Sequence, residues 1–315
     1  LRSSGNPLTI EAAFGDRGLL SLWGGAFYHP VFVDAAARAL NLQGQSLSIC
    51  HGDITGVSNM LFRVRGGVRV ATLPLMFQYY GPLFFPGDDH QKTDVEILEP
   101  FCAQYDFVYL SLPPQTEIVV AKRWRVFPQV TLAVTAEGLA IWGNGFRDDV
   151  KNKIRKAGRE KITIATSSTL PITLWNATFE RRRLPNPIAA SALESWCRSL
   201  IDAGLLIIFV AVKDGQAVAF RGELTFGRYA YDWIAGSDPA FHPTGANQLL
   251  MAEIGHDLAP KGLAAWDLVG GQIGSIADFK RSFGALEMEH PHLVRARGLK
   301  GRLYSLVRGV RHGRA

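Results

Sequence analysis

Residues Val210–Leu224, VAVKDGQAVAFRGEL, decide the fold. Two apolar runs flank Asp214-Gly215, and an Asp-Gly pair between such runs supplies the positive φ angles of a tight β-hairpin turn. The same form stands earlier in the chain at Phe62–Leu75, FRVRGGVRVATLPL, with Gly66-Gly67 in the turn. At an offset of 148 the two align Gly67 with Gly215, Val70 with Val218 and Ala71 with Ala219. A chain of 315 residues is about two ordinary domains long, so the alignment reads as an internal duplication.

Outward from the second hairpin, Tyr229–Ala235 (YAYDWIA) reads as a strand, Ala246–Leu258 as an amphipathic helix and Ala264–Val269 (AAWDLV) as another strand. In the first half, Val95–Gln104 reads as a short helix and Phe107–Leu112 (FVYLSL) as a strand. Gly81-Pro82 and Pro86-Gly87 interrupt the region before them, so the first copy is expected to lack a long third strand. Between the halves, Asp148–Lys161 has acids in its first turn and bases later, the arrangement a helix dipole favours. The fold class expected is α/β (α+β), with mixed central sheets flanked by helices. The expected divisions are an N-terminal domain 1–145, a C-terminal domain 146–292 and a basic tail 293–315.

Hydrophobic residues make up 47% and charged residues 20% of the chain, which excludes a disordered or collagen-like polypeptide. The longest apolar run, Leu205–Val212, is far short of the roughly twenty residues of a spanning helix. Residues 1–18 do not read as an export leader. Cys50, Cys102 and Cys197 are widely spaced and form no zinc or disulfide pattern. Cytoplasmic residence is therefore expected, including at the inner face of the membrane. The net charge is +6, yet residues 290–315 carry Arg295, Arg297, Lys300, Arg302, Arg308, Arg311 and Arg314 and no acid; +6 less these seven leaves −1 for the rest. Basicity is thus a property of the tail and does not indicate a DNA-binding domain.

Two segments carry chemistry. In Asp238–Leu250, DPAFHPTGANQLL, Thr244, Gly245, Ala246 and Asn247 open a helix, either as an ordinary cap or as an anion site for a phosphate. Trp266–Ala285, WDLVGGQIGSIADFKRSFGA, leaves a strand through glycines and enters a helix. There Phe279 and Phe283 read as core, and Lys280 points elsewhere. Tyr231 and Trp233 are read as core or cleft wall, Glu223 as a solvated strand acid or cleft wall, and His242 as a loop histidine or a base. His290 and His292 have the H-x-H spacing of metal ligands without an evident third ligand, so no metal is expected.

With LPLMFQYYGPLF, KNKIRKAGRE, DGQAVAFRGELTFGRYAYDW, HPTGANQLL, WDLVGG and FKRSFGA, the chain resembles the FemAB-like acyltransferases of peptidoglycan bridges, which are duplicated GNAT folds. The resemblance implies two tandem GNAT-like domains and an amine-acylating enzyme with its cleft in the second. It also implies strands YAYDWIA and AAWDLV splayed near Asp267 to admit the donor, and residues 244–247 facing the donor's phosphates. The usual GNAT pyrophosphate loop is replaced by the looser H-P-T-G-A, so acyl-CoA, an acyl carrier protein and aminoacyl-tRNA all stand as co-substrates. Sustained heptads are absent, and with them the coiled-coil arm of some tRNA-using members. Amine acylation needs a proton acceptor and a stabilised oxyanion; Asp267 and Asp232 are the expected carboxylates, and Lys280 the expected anchor for an anionic group. The resemblance further implies an amine acceptor, anionic or lipid-linked, of a cell-envelope precursor. The alternative is a non-catalytic protein that binds a membrane surface, RNA or an acidic carrier through Leu293–Val310, read as an amphipathic helix that docks on the first domain or on lipid.

Overall fold

The computed structural model describes residues 22–51, 54–84, 92–94, 98–114, 116–119, 123–181, 183–272 and 274–307. Residues 1–18, Pro86-Gly87, the start of the expected helix at 95–104 and the arginines from 308 onward lie outside them. In chain order the elements are α1 (Pro30–Leu40), β1 (Gln43–His51), β2 (Ile54–Arg65), β3 (Val68–Thr72), β4 (Pro82–Phe84), β5 (Lys92–Asp94), α2 (Glu99–Cys102), β6 (Phe107–Ser111), β7 (Glu117–Val119), β8 (Arg125–Thr135), α3 (Ala136–Ala140), α4 (Asp148–Arg159), β9 (Thr163–Ser167), α5 (Ile172–Arg181), α6 (Ala190–Asp202), β10 (Leu206–Lys213), β11 (Gln216–Phe226), β12 (Tyr229–Ser237), α7 (Ala246–Leu258), β13 (Ala265–Asp267), α8 (Gly274–Arg281), β14 (Leu286–Ala296) and α9 (Gly298–Val307).

The chain forms two compact units, Leu1–Gln129 with Glu289–Ala315, and Val130–Met288. The expected boundary at 145/146 therefore lies inside the second unit. Of the expected tail 293–315, Leu293–Ala296 belong to β14, which pairs antiparallel with β6 in the first unit. The helix expected from Leu293 accordingly starts only at Gly298.

In the second unit the strand order is β8-β13-β12-β11-β10-β9. Neighbours are antiparallel except β12 and β13. Those two pair over Tyr229–Ala265, Ala230–Trp266 and Tyr231–Asp267. Beyond Asp267 the chain turns away, with Leu268 N–H donating to Leu132 O at 2.7 Å, while β12 runs on beside β11 to Ser237. The strands thus part at Asp267. One face of this sheet packs on α4 and α7 through Val150, Ala157, Leu250, Met251 and Ile254, together with Trp266 and Phe283. Phe283 meets Trp142, Phe146 and Phe279 at ring separations of 6.2, 5.0 and 5.1 Å, which places the motif's aromatic pair in the core.

In the first unit the order is β1-β2-β3-β6-β14, with β4 on β2, and β3 and β6 are parallel. The duplication is present, one strand out of the expected register. The parallel pairs correspond at offsets of 159 (Val70 to Tyr229) and 158 (Phe107 to Ala265). Hence β2–β3 matches β11–β12, and α1–β1 matches α6–β10. The offset of 148 aligned two hairpins that share turn chemistry but occupy successive places in the repeat. The third strand is present but short, as expected: β3 fills that place with five residues, against nine in β12. Past Thr72 its position beside β6 is taken by Tyr80, whose N–H donates to Ser111 O at 2.7 Å and whose carbonyl accepts from Ser111 N–H at 2.8 Å. The splay that the second unit keeps is bridged by backbone in the first.

Replacing Phe283 by Ala removes a ring buried among three others, a loss of about 3–5 kcal/mol. A urea unfolding series is expected to show a midpoint lowered to match, which identifies the second aromatic of F-K-x-x-F-G as structural.

Candidate active site

Where β12 and β13 part, five ionisable side chains sit in the protein interior. Arg221 and Glu223 come from β11, Asp232 from β12, Asp267 from the end of β13 and Lys280 from α8, and each is less than a tenth exposed. Strand pairing sets Glu223 directly opposite Asp232. Arg221 Nη1 donates to Asp232 Oδ2, and Lys280 Nζ lies 3.5 Å from the same oxygen. Trp266 Nε1 donates to Glu223 Oε2 at 2.7 Å. Asp232 Oδ1, Glu223 Oε1 and Arg221 Nε are buried with no hydrogen-bond partner.

Burial, and then the negative charge of Asp232 opposite, push the Glu223 carboxyl well above the usual range. Burial lowers the Lys280 ammonium, opposed by Asp232. Arg221 also lies over the Phe279 ring at 5.4 Å, a face-on contact that favours a guanidinium.

Asp267 and Lys280 jointly hold the turn that ends β13. Asp267 Oδ1 accepts from Thr131 Oγ1 at 2.6 Å and from Val269 N–H at 2.9 Å. Lys280 Nζ donates to Leu268 O, and to Val269 O at 2.8 Å. Val269 adopts φ 59°, costly for a β-branched residue, and these bonds fix it there. Of the three carboxylate and ammonium residues expected at the site, Asp232, Asp267 and Lys280, all are brought together. Arg221, Trp266 and Thr131 were missed. A lone arginine within the apolar run of β11 was the signal available for Arg221; Thr131 carried none, since its partner lies 136 positions away.

The expected wall residues divide. Asp232 lies in the cluster, while Trp233 packs on Trp196 of α6 at 5.2 Å, and Tyr231 is fully buried. Residues 244–247 form a separate grouping. Thr244 Oγ1 donates to Phe241 O at 2.6 Å and accepts from Ala246 N–H at 3.3 Å. A side chain at Gly245 would run into the Lys153 carbonyl of α4, so glycine here permits close packing of α4. Asn247 lies in the first turn of α7. His242 is exposed and 2.9 Å from Ser237 Oγ. Its pKa is lowered by partial burial and then by the charge of Arg181; Asp238 opposes this, and Lys153 adds a smaller push downward. Arg181 and Lys153 thus bring positive charge near His242, partly offset by Asp238.

His290 and His292 belong to the first unit. Ser111 Oγ donates to Gln78 O at 2.7 Å and lies 3.0 Å from His292 Nε2, so Nε2 carries the proton and Nδ1 accepts from Tyr109 OH at 2.6 Å. Burial takes His292 down to about 3. Among the described residues no group of three or more His, Cys, Asp or Glu is placed to hold a metal.

A family model described as acetyltransferase (GNAT) domain matches residues 144–281, which contain every member of this cluster. The crystal structure of FemX superposes with a TM-score of 0.62 at 12% identity, covering 90% of this chain and 98% of that one. The chain shares the fold of FemX. The C-terminal domain of a putative lysylphosphatidylglycerol synthetase from Agrobacterium fabrum gives 0.55 at 12% identity, covering 89% and 91%. L-PGS from Bacillus licheniformis gives 0.51 at 13%, covering 89% and 96%. No curated protein matches the sequence.

A carboxyl whose folded-state pKa is raised contributes stability in full below its ordinary value of 4.5 and loses it as pH rises through the folded value. Glu223→Gln keeps an oxygen acceptor for Trp266 and does not titrate. The variant is expected to melt progressively above the parent as pH rises from 5 to 9, by about 2–4 °C for each kcal/mol gained. A melting difference independent of pH would place a charged carboxylate at 223.

Proposed function

We propose that the protein is an N-acyltransferase that moves an acyl or aminoacyl group from an activated carrier to an amine of a cell-envelope precursor. The observation that carries this reading is the parting of β12 and β13 beyond Tyr231–Asp267 beside a buried carboxylate, within the segment that matches the GNAT domain. FemX and L-PGS share the fold and support the reading; the envelope acceptor is taken from their likeness.

In the reaction the amine lone pair attacks the carbonyl carbon of a thioester or ester and forms the C–N bond. The tetrahedral oxyanion collapses, the C–S or C–O bond breaks, and the leaving group takes up a proton. Asp232 is the preferred acceptor of the amine's second proton, because Oδ2 is held by Arg221 and Lys280 while Oδ1 has no partner. Lys280 is a positioning residue: its ammonium is turned inward onto two carbonyls and Asp232, not outward onto a phosphate. Asp267 holds the same turn. The donor's phosphates are assigned to the start of α7, where Lys153 and Arg181 supply positive potential. Acyl-CoA, an acyl carrier protein and aminoacyl-tRNA all present phosphates to such a surface.

Incubated with a thioester donor and an amine, the protein is expected to yield an amide visible by mass spectrometry. Asp232→Asn is expected to lower kcat by about 10²–10⁴, assayed below the melting temperature of the variant, which the loss of one buried charge lowers. Complete retention of turnover by this variant excludes Asp232 as the base. A protein that only binds gives no amide at all.

The combined Lys153→Glu and Arg181→Glu variant is expected to raise KM for a phosphate-bearing donor about tenfold, with kcat held, and to leave KM for the amine unchanged. Steady-state kinetics with each substrate varied in turn checks this. An unchanged donor KM moves the phosphate site away from α7.

A further inference from the structure

Helix α9 presents two faces. Gly301 and Ser305 are buried, and a side chain at 301 would strike the Asp106 carbonyl. Tyr304 packs its ring on Phe107 at 5.1 Å. The helix thus docks by its small residues. Its large apolar residues lie on the other side: Leu299 is 74% exposed, Leu303 52%, Leu306 48% and Val307 86%. At 3.6 residues per turn these four fall within an arc of ~100°. Lys300 and Arg302 stand on the two edges of that arc, both exposed, with Lys300 Nζ donating to Gly67 O at 3.3 Å. Residues 290–315 contain no acid, and the sequence continues with Arg308, Arg311 and Arg314.

Single apolar residues scattered over a surface need no explanation, but an adjoining set on one helix face does. A leucine stripe bordered by cations is the pattern of a helix lying in the plane of a bilayer interface. We propose that α9 seats the protein on an anionic phospholipid surface, its leucines entering the acyl boundary and Lys300 and Arg302 meeting the lipid phosphates. A second copy of the chain fits less well, since pairing this face with itself brings cation to cation with no acid to offset them. RNA would satisfy the charges and leave the leucines without a role. No helix among the described residues is long and apolar enough to cross a membrane, so this contact is peripheral. The inference goes beyond the acyltransferase reading and does not depend on it.

The test is co-sedimentation of the full chain with mixed phosphatidylcholine–phosphatidylglycerol vesicles, against phosphatidylcholine alone. Binding is expected to the anionic vesicles only and to weaken with salt. The triple variant Leu299→Gln, Leu303→Gln, Leu306→Gln is expected to lower partitioning more than tenfold with an unchanged melting curve. It is also expected to leave transfer between a soluble donor and amine intact, which separates this inference from the enzymatic one. A second variant, Lys300→Glu with Arg302→Glu, reads the same loss should the first fail to fold. Equal binding to neutral vesicles, no binding to anionic ones, or wild-type binding by the triple variant overturns the proposal. So does a concentration-dependent dimer that the triple variant abolishes, which assigns the face to a second copy.

Discussion

The ion pair of Arg221 with Asp232, completed by Lys280, is the constraint on which the second unit depends. Charges this deeply buried persist only when paired, and removing one partner costs about 3–5 kcal/mol because the other is left unmatched. Three elements contribute to the set: β11, β12 and α8. Their relative placement is therefore specified by electrostatics as well as by packing. Glu223, buried opposite Asp232, is pushed toward its neutral form by burial and by that charge. The arrangement also leaves Asp232 Oδ1 without a donor, a condition that an interior built for stability alone would have removed.

The duplication gives the two units matching strand ends that carry different side chains. Each copy runs a helix, three antiparallel strands and a parallel fourth strand. At the end of that fourth strand the second copy has Asp267 bonded to Thr131. The first copy has Tyr109 bonded to His292 at the matching place. A carboxylate and its hydroxyl partner are replaced by a phenol and a histidine held neutral by burial. Backbone from Tyr80 then bridges the position that the parting strands leave open in the second copy. The chain leaves the first unit inside β8 and returns to it inside β14. Similar units can diverge in this way because the sheet tolerates change at the ends of its strands, where backbone hydrogen bonding is already interrupted.

Much of this was legible in the sequence, for local reasons. Asp214-Gly215 specifies a turn whatever surrounds it, the acids and bases of 148–161 order a helix along its own dipole, and apolar periodicity bounds α7 at Ala246 and Leu258. The motif W-D-L-V-G-G with F-K-x-x-F-G pointed to Asp267 and Lys280 because strand, turn and helix are contiguous there. The register of the repeat was not legible. Gly66-Gly67 and Asp214-Gly215 make similar turns, and turn chemistry does not report which strand of a meander it joins; only the parallel pairs Val70–Phe107 and Tyr229–Ala265 distinguish the two.

Tertiary structure alone decided which side chains meet in the candidate site. Sequence placed Asp232, Asp267, Lys280 and Glu223 in one region but could not say which carboxyl gives up its charge, since that depends on which side chain lies opposite and how far water is excluded. It showed a basic, leucine-bearing C-terminal segment but not that Gly301 and Ser305 would take the buried face and turn the leucines outward. Composition and spacing determine which groups are present and which local elements form. Burial and the partners brought from distant strands determine what those groups can do, because desolvation and pairing are properties of the folded neighbourhood.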